Sequence, residues 1–280
     1  VHIYTENFDS TTFDEVKLVE NKWIINQFNK CLGQFNELFD DYKISDAYKL
    51  LYNFLWSDLF DWYFEFSKNL VESDSTKKET QFVLLTVFTE SLKILNPAMP
   101  HITEEIWSTF NKNLLVDNNW PNKMLSIDSN LDEVDELKSI VNQIRNFKNN
   151  YSLKNNAIIE LSPQQQYPEW FTFQLEKIAK VKILDPSMSI DSDEITLVFQ
   201  SSEFKFEILA SKYIDIDHEK ERLNNKIDKL KNSLLVSEKR LANDKFINNA
   251  KKELIQAEKE NIKKLSYEIK TIELTLSSFD

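Results

Sequence analysis

From residue 216 to residue 276, apolar side chains recur in heptad steps. Ile216, Leu223, Ile227, Leu230, Leu234 and Leu241 mark one arm, and Ile255, Ile262, Leu265, Ile269, Ile272 and Leu276 mark the next. Polar residues fill the gaps, so the stripe predicts a pair of coiled-coil helices. Asn243 to Ala250 joins the arms with mostly polar residues, which folds them back as an antiparallel hairpin with a seam and no globular core. Such an arm acts by reaching something.

Upstream, the spacing predicts a helical bundle over residues 1–131. Ile24, Phe28, Cys31, Phe35 and Leu38 give an amphipathic helix over 20–39, ended by Asp40 and Asp41. The next helix, 45–69, carries two apolar stripes, one through Ala47, Leu51, Phe54, Trp62 and Phe66, the other through Tyr52, Trp56, Phe60 and Tyr63. A helix apolar on two sides packs on two sides, so it is expected to lie centrally. Thr76 and Glu79 have capping-box spacing and open a third helix through Phe82, Leu85, Phe88, Leu92 and Leu95, stopped by Asn96 and Pro97. A short helix follows from Pro100, with Ile102, Ile106 and Phe110 expected to face inward.

Residues 132–214 predict a small α+β module. Leu137, Val141, Ile144 and Phe147 form a helical stripe, and Phe171–Ala179 suits a second helix. Ala157–Leu161, Val181–Leu184, Ile195–Phe199 and Phe204–Ile208 suit strands, the last with clean alternation. The predicted fold class is thus mainly α: a helical bundle over 1–131, the α+β module over 132–214 and the hairpin over 215–280.

Composition narrows the chemistry. The 280 residues contain one glycine, Gly33, so no GxGxxG or GxxxxGK[ST] phosphate loop can be written. Cys31 is the only cysteine, which excludes an internal disulfide and a cysteine zinc cluster and fits a buried thiol in a reducing, cytoplasmic setting. No run approaches 18 apolar residues, and the acidic opening VHIYTENFDSTTFDE carries no signal peptide. Neither a membrane nor a bound cofactor is expected. The initial Val rather than Met suggests a piece of something longer.

Charge is unevenly distributed. Residues 215–280 carry 14 Lys plus Arg against 13 Asp plus Glu, about +1, while the other 214 carry 20 against 33, about −13. Lys239, Arg240, Lys245, Lys251 and Lys252 gather around the predicted bend, where both arms can converge on an anionic backbone. Ordinary solvated coiled-coil positions would show the same residue types. Asp58 and Asp61 among the aromatic rings, His101 at a helix start and the Glu104–Glu105 pair invite catalytic or metal readings. With no nucleophile or second histidine nearby in sequence, they read as structural: the aspartates bonded to an indole, a tyrosine or a neighbouring helix, His101 at a helix start, and the glutamates a solvated first turn.

The run NKWIINQFNKCLGQFNELFDDYKISDAYKLLYNFLWSDLFDWYFEFSK, followed by LNPAMPHITEEIW, resembles the anticodon-binding domain of class I aminoacyl-tRNA synthetases of the branched-aliphatic group. Phe54, Trp56, Asp58, Asp61, Trp62, Tyr63, Glu65 and Lys68 look like the valyl-tRNA synthetase version. In the terminal hairpin, Glu221, Arg222, Leu223, Leu241, Asn243, Phe246 and Ala250 are similar to that family's coiled-coil arm, although Lys251 stands where the family usually has proline. The resemblance covers nearly the whole chain. The family's His-Ile-Gly-His and Lys-Met-Ser-Lys-Ser type strings are absent from it, as is the usual first helix of the anticodon domain.

The resemblance implies the C-terminal, tRNA-holding portion of a valyl-tRNA synthetase, catalytically inactive alone, with ATP and Mg2+ handled by the catalytic domain of the parent. Valine tRNA is the implied partner, beside the catalytic and editing domains of the same polypeptide, in a monomer. Arg145, Lys148 and Lys154 match the family loosely and join the hairpin cations as candidate RNA contacts. The alternative is a structural or interaction protein that docks or dimerises through residues 215–280.

Overall fold

A computed structural model of the chain describes residues 15–124, 131–186, 196–243 and 252–277. They form two compact units, one from the residues up to 143 together with 167–180, the other from 144–166 and from 181 onward. This division differs from the boundaries expected at 131 and 214, for two physical reasons. The first turns of the helix starting at Asp132 are tied to the bundle, and the sheet shares a hydrophobic cluster with the hairpin.

The first unit holds α1 (Val19–Asp40), α2 (Ile44–Asn53), a π-helical stretch (Phe54–Tyr63), α3 (Phe64–Leu70), α4 (Asp74–Leu95) and α5 (Pro100–Ser108). It also holds the start of α6 (Asp132–Asn150) and the whole of α7 (Glu169–Ala179). As expected, α1 buries Ile24, Phe28, Cys31 and Phe35, and it also buries Trp23. Burial pushes the Cys31 thiol up to about 12, so it stays protonated and unreactive.

Three expectations of side-chain facing hold only in part. The π-helical stretch is wider than 3.6 residues per turn, so it buries Phe54, Leu59 and Tyr63 at steps of five and four. Tyr52, Trp56 and Phe60 turn outward at 60%, 57% and 40% exposure, so of the second stripe only Tyr63 is buried. In α4 the buried face runs through Thr80, Val83, Leu84, Val87, Ser91 and Ile94, and of the expected Phe82–Leu95 row only Leu92 is fully buried, with Phe88 packed against its cluster. In α5, Ile102 is exposed and Thr103 and Trp107 are buried, while Ile106 packs as expected against the cluster of Leu92, Trp107 and Leu115.

The expected capping box is absent because α4 begins at Asp74, placing Thr76 and Glu79 inside it. Glu79 instead serves another helix. The N-cap of α1, Leu18, has no side-chain cap of its own, and its N–H donates to Glu79 Oε1 at 2.9 Å. The same oxygen accepts from Asn21 Nδ2 at 2.9 Å, and Asn21 Oδ1 accepts from the buried Tyr63 hydroxyl at 2.7 Å.

Beside this chain of bonds, Glu20 is 1% exposed. Its Oε1 accepts from Gln174 Nε2 at 2.7 Å, while Oε2 has no partner among the described residues. Burial raises the Glu20 pKa above 4.5, with backbone and Gln174 hydrogen bonds only partly offsetting it. A folded carboxyl that holds its proton more tightly than the unfolded one favours folding at low pH. That contribution is lost as pH rises through the raised folded value. Glu20→Gln is therefore expected to unfold at higher urea than the parent at pH 8, with the gap narrowing toward pH 5. A gap independent of pH would show that Glu20 does not titrate with folding.

At the C-terminus of α1, Lys43 N–H donates to the Leu38 carbonyl and Tyr42 N–H to the Phe39 carbonyl, the two bonds of a Schellman motif. The left-handed position in that motif is normally glycine, yet Tyr42 occupies it at φ 61° and is 90% exposed. Tyr42→Gly is expected to stabilise the chain by about 1 kcal/mol in urea unfolding, because it relieves the Cβ clash and removes no buried surface. An unchanged midpoint would show that the turn is unstrained.

In the second unit a four-stranded sheet has the order β2-β1-β4-β3, from β1 (Ile159–Pro163), β2 (Val181–Ile183), β3 (Thr196–Gln200) and β4 (Lys205–Leu209). β1 and β2 run parallel, while β1–β4 and β3–β4 are antiparallel. All four strands and α7 fall where the alternation predicted them, shifted by at most two residues. In β4, Phe206 and Ile208 are buried and their neighbours are not. The hairpin, α8 (Ile216–Leu241) and α9 (Lys252–Ser277), completes the unit.

Candidate nucleic-acid interface

The hairpin begins at a defined cap: Asp215 Oδ1 accepts from the His218 N–H at 3.1 Å. From there the heptad seam forms as the sequence predicts. Leu223, Ile227 and Ile272 are buried together, and Ile216, Leu230, Leu276 and Leu197 of β3 pack against them. Ile269 is buried as well. Each arm thus spends its apolar stripe on the other arm of the same chain.

Toward the bend the seam turns polar. Ser237 is 4% exposed and its hydroxyl accepts from Asn261 Nδ2 at 3.1 Å. A polar pair fixes which layers face each other at the cost of some stability. Ion pairs cross the seam on both sides: Lys226–Glu268 at 2.9 Å, Lys231–Glu273 at 3.1 Å and Arg240–Glu258 at 3.5 Å. At the base of the arm, Arg222 grips the buried Glu219 with Nε and Nη2, each at 2.6 Å. Burial, followed by the charge of Glu219, raises the pKa of Tyr151 in this unit.

The candidate cations divide. Lys239 and Arg240 are exposed at the end of α8, and Arg240 is tied to Glu258. Lys245, Lys251 and the side chain of Lys252 lie outside the described residues. Arg145 on α6 and Lys154 in the following loop are exposed. Lys148 is corrected: it is 3% exposed, and its amine donates to the Ala157 carbonyl at 2.7 Å and the Asn155 carbonyl at 3.4 Å. It closes the turn between α6 and β1 and has no surface to offer RNA.

Of the acidic and histidine candidates in the bundle, Asp58 and Glu104 have structural partners, while Asp61, His101 and Glu105 are exposed. Asp58 pairs with Lys138 on α6 at 3.4 Å, and the Lys138 amine lies 4.3 Å from the centre of the Trp23 ring. Desolvation raises the Asp58 pKa despite that cation. Glu104 is not merely solvated: its carboxylate accepts the Leu115 N–H at 2.9 and 3.0 Å, pinning the stretch of chain after α5. Among the described residues no three His, Cys, Asp or Glu side chains gather as a metal site, and no helix is long and apolar enough to cross a membrane.

A bundle with an appended two-helix arm agrees with what the sequence is similar to. Residues 21–162 match the family described as the anticodon-binding domain of tRNA ligase, and residues 215–280 match the valyl tRNA synthetase tRNA binding arm. The chain belongs to the anticodon-binding family of tRNA ligases. Its relatives agree on the valyl branch. The valine–tRNA ligase of Pelagibacter ubique is 28% identical over 98% of this chain and 33% of the relative. Those of Buchnera aphidicola subsp. Schizaphis graminum and Mesoplasma florum are 30% and 28% identical over 96% and 90% of this chain, and each is covered for 29% of its length. The chain spans about a third of the length of the curated relatives it matches. What it matches is the tRNA-binding portion of valyl-tRNA synthetases, without their catalytic part.

Proposed function

We propose that this chain holds valine tRNA for a valine–tRNA ligase, with the bundle on the anticodon arm and the hairpin on the elbow of the L-shaped RNA. The observation that carries the reading is the pair of family matches, anticodon-binding domain then tRNA-binding arm, in order along one chain. Charge supports it, since the hairpin lacks the net acidity that marks the rest of the chain. Attraction is then local, and an acidic body discourages unrelated RNA. Unstacked anticodon bases are read by side chains and the elbow by shape and phosphate contacts.

Valine activation, ATP and Mg2+ belong in this proposal to sequence outside the chain. The lone glycine lies inside α1, where its backbone is helical, so it contributes no phosphate-cradling turn. The proposed setting is the cytoplasm and the proposed state a monomer. The dimerising alternative loses its main support because both seams are already used within one chain.

The test is binding of the full chain to a valine tRNA transcript and to an unrelated tRNA of equal length across a salt series. Selective binding that weakens linearly in log salt is expected. Equal affinity for both transcripts would remove specificity from the reading, and no affinity for either would remove tRNA.

A further inference from the structure

The cross-seam ion pairs define two flanks of the hairpin. Lys226–Glu268 and Arg240–Glu258 lie on one, and Lys231–Glu273 on the other. In an antiparallel pair, helical phase carries each remaining side chain to one flank or the other. Arg222 and Lys229 are seven apart and share a face of α8, four and three residues from Lys226. Lys264 sits four residues before Glu268 on α9 and joins the same flank.

This flank therefore carries Arg222, Lys226, Lys229, Arg240 and Lys264, all exposed, against Glu268 at its surface. Glu219 and Glu258 also meet two of its cations, but from within the seam, where their side chains are 6% and 17% exposed. On the opposite flank, Lys259, Lys263 and Lys270 alternate with Glu221, Asp228 and Glu238, and Lys231 is tied to Glu273. The small net charge of the arm thus hides one basic side and one balanced side. From Arg222 to Arg240 is 18 residues, roughly 27 Å of helix, so the basic row is long enough to meet several phosphates of one strand.

We propose that this flank, rather than the bend alone, is the surface that meets the phosphate backbone of tRNA. Lys229 and Lys264 contribute most, because neither is paired with a carboxylate among the described residues. The inference rests on the tRNA-holding reading and deepens it by assigning the contact to named side chains. Glu268 pairs with Lys226 at 2.9 Å on the same surface.

Two double variants of the full chain with the same charge change test it: Lys229→Glu with Lys264→Glu, and Lys263→Glu with Lys270→Glu. With a valine tRNA transcript at about 0.1 M salt, the first is expected to lose about tenfold or more in affinity, and its log–log salt slope to fall by about 1.5 to 2. The second is expected to stay within about twofold of the parent, with both variants keeping the parent's helical circular dichroism. Equal losses in the two, a larger loss in the second, or no loss in either while the parent binds would each overturn the flank assignment. A parent chain that does not bind the transcript would overturn the tRNA reading, and the flank assignment with it.

Discussion

Trp23→Ala is expected to cost the bundle about 3 to 5 kcal/mol, well above what most single substitutions cost. Trp23 is fully buried in α1, packs edge-on against Phe66 at 6.0 Å and 85°, and supports the Lys138 amine on its face. Truncation leaves a cavity too well walled to collapse. It also strips Lys138 of its nearer aromatic partner, leaving the Trp62 ring at 5.8 Å and the carboxylates of Asp58 and Asp135. For a domain with a total stability of about 5 to 15 kcal/mol, such a loss shows as a sharply lowered urea midpoint and weakened near-ultraviolet circular dichroism. Trp23→Phe keeps most of the volume and is expected to lose less than half as much. Equal losses for Ala and Phe would mean that the indole's particular shape, not apolar bulk as such, holds the bundle.

Removing residues 215–280 is expected to lower affinity for valine tRNA by a factor on the order of 100. Two modest sites on one rigid ligand reinforce each other through effective concentration, so losing one removes more than its own contacts. The truncation exposes Leu197, which packs on the seam, so the truncated chain must first show the parent's unfolding transition for the bundle. An affinity unchanged by the truncation would leave the bundle as the sole contact.

The hairpin is the most legible part of the sequence. Of the predicted seam positions, Leu223, Ile227, Ile269 and Ile272 are buried, Ile216, Leu230 and Leu276 pack against the seam, and the others are partly buried, because a heptad repeat in polar surroundings has one apolar stripe to cover. The strands are legible for a similar reason: the alternation through Phe206 and Ile208 leaves only one face to bury. The second bundle helix is legible in its extent and in its first stripe, where Ala47, Leu51, Phe54 and Phe66 are buried, but not in its second stripe. A ten-residue π-helical stretch changes the residue spacing, and no local signal in LYNFLWSDLFDWY announces it. Regular helical spacing therefore places Tyr63 with residues that turn outward, although it is buried.

Candidate contacts are legible as residue types but not as surfaces. Lys148 reads as one more basic residue, and only the fold brings the Asn155 and Ala157 carbonyls to its amine. Asp58 pairs with a lysine 80 positions away, a distance over which sequence spacing says nothing. Lys229 and Lys264 stand apart from the cations clustered near the bend, and residue type alone does not single them out. Assigning every lysine a heptad position would have separated the two flanks from the sequence alone.

The most direct test of the central claim is a hydroxyl-radical footprint of the full chain on valine tRNA. Two separate protected regions, the anticodon arm and the elbow, are predicted, with the elbow protection disappearing when residues 215–280 are removed. Protection confined to one region, or an elbow footprint that survives without the hairpin, would contradict the account.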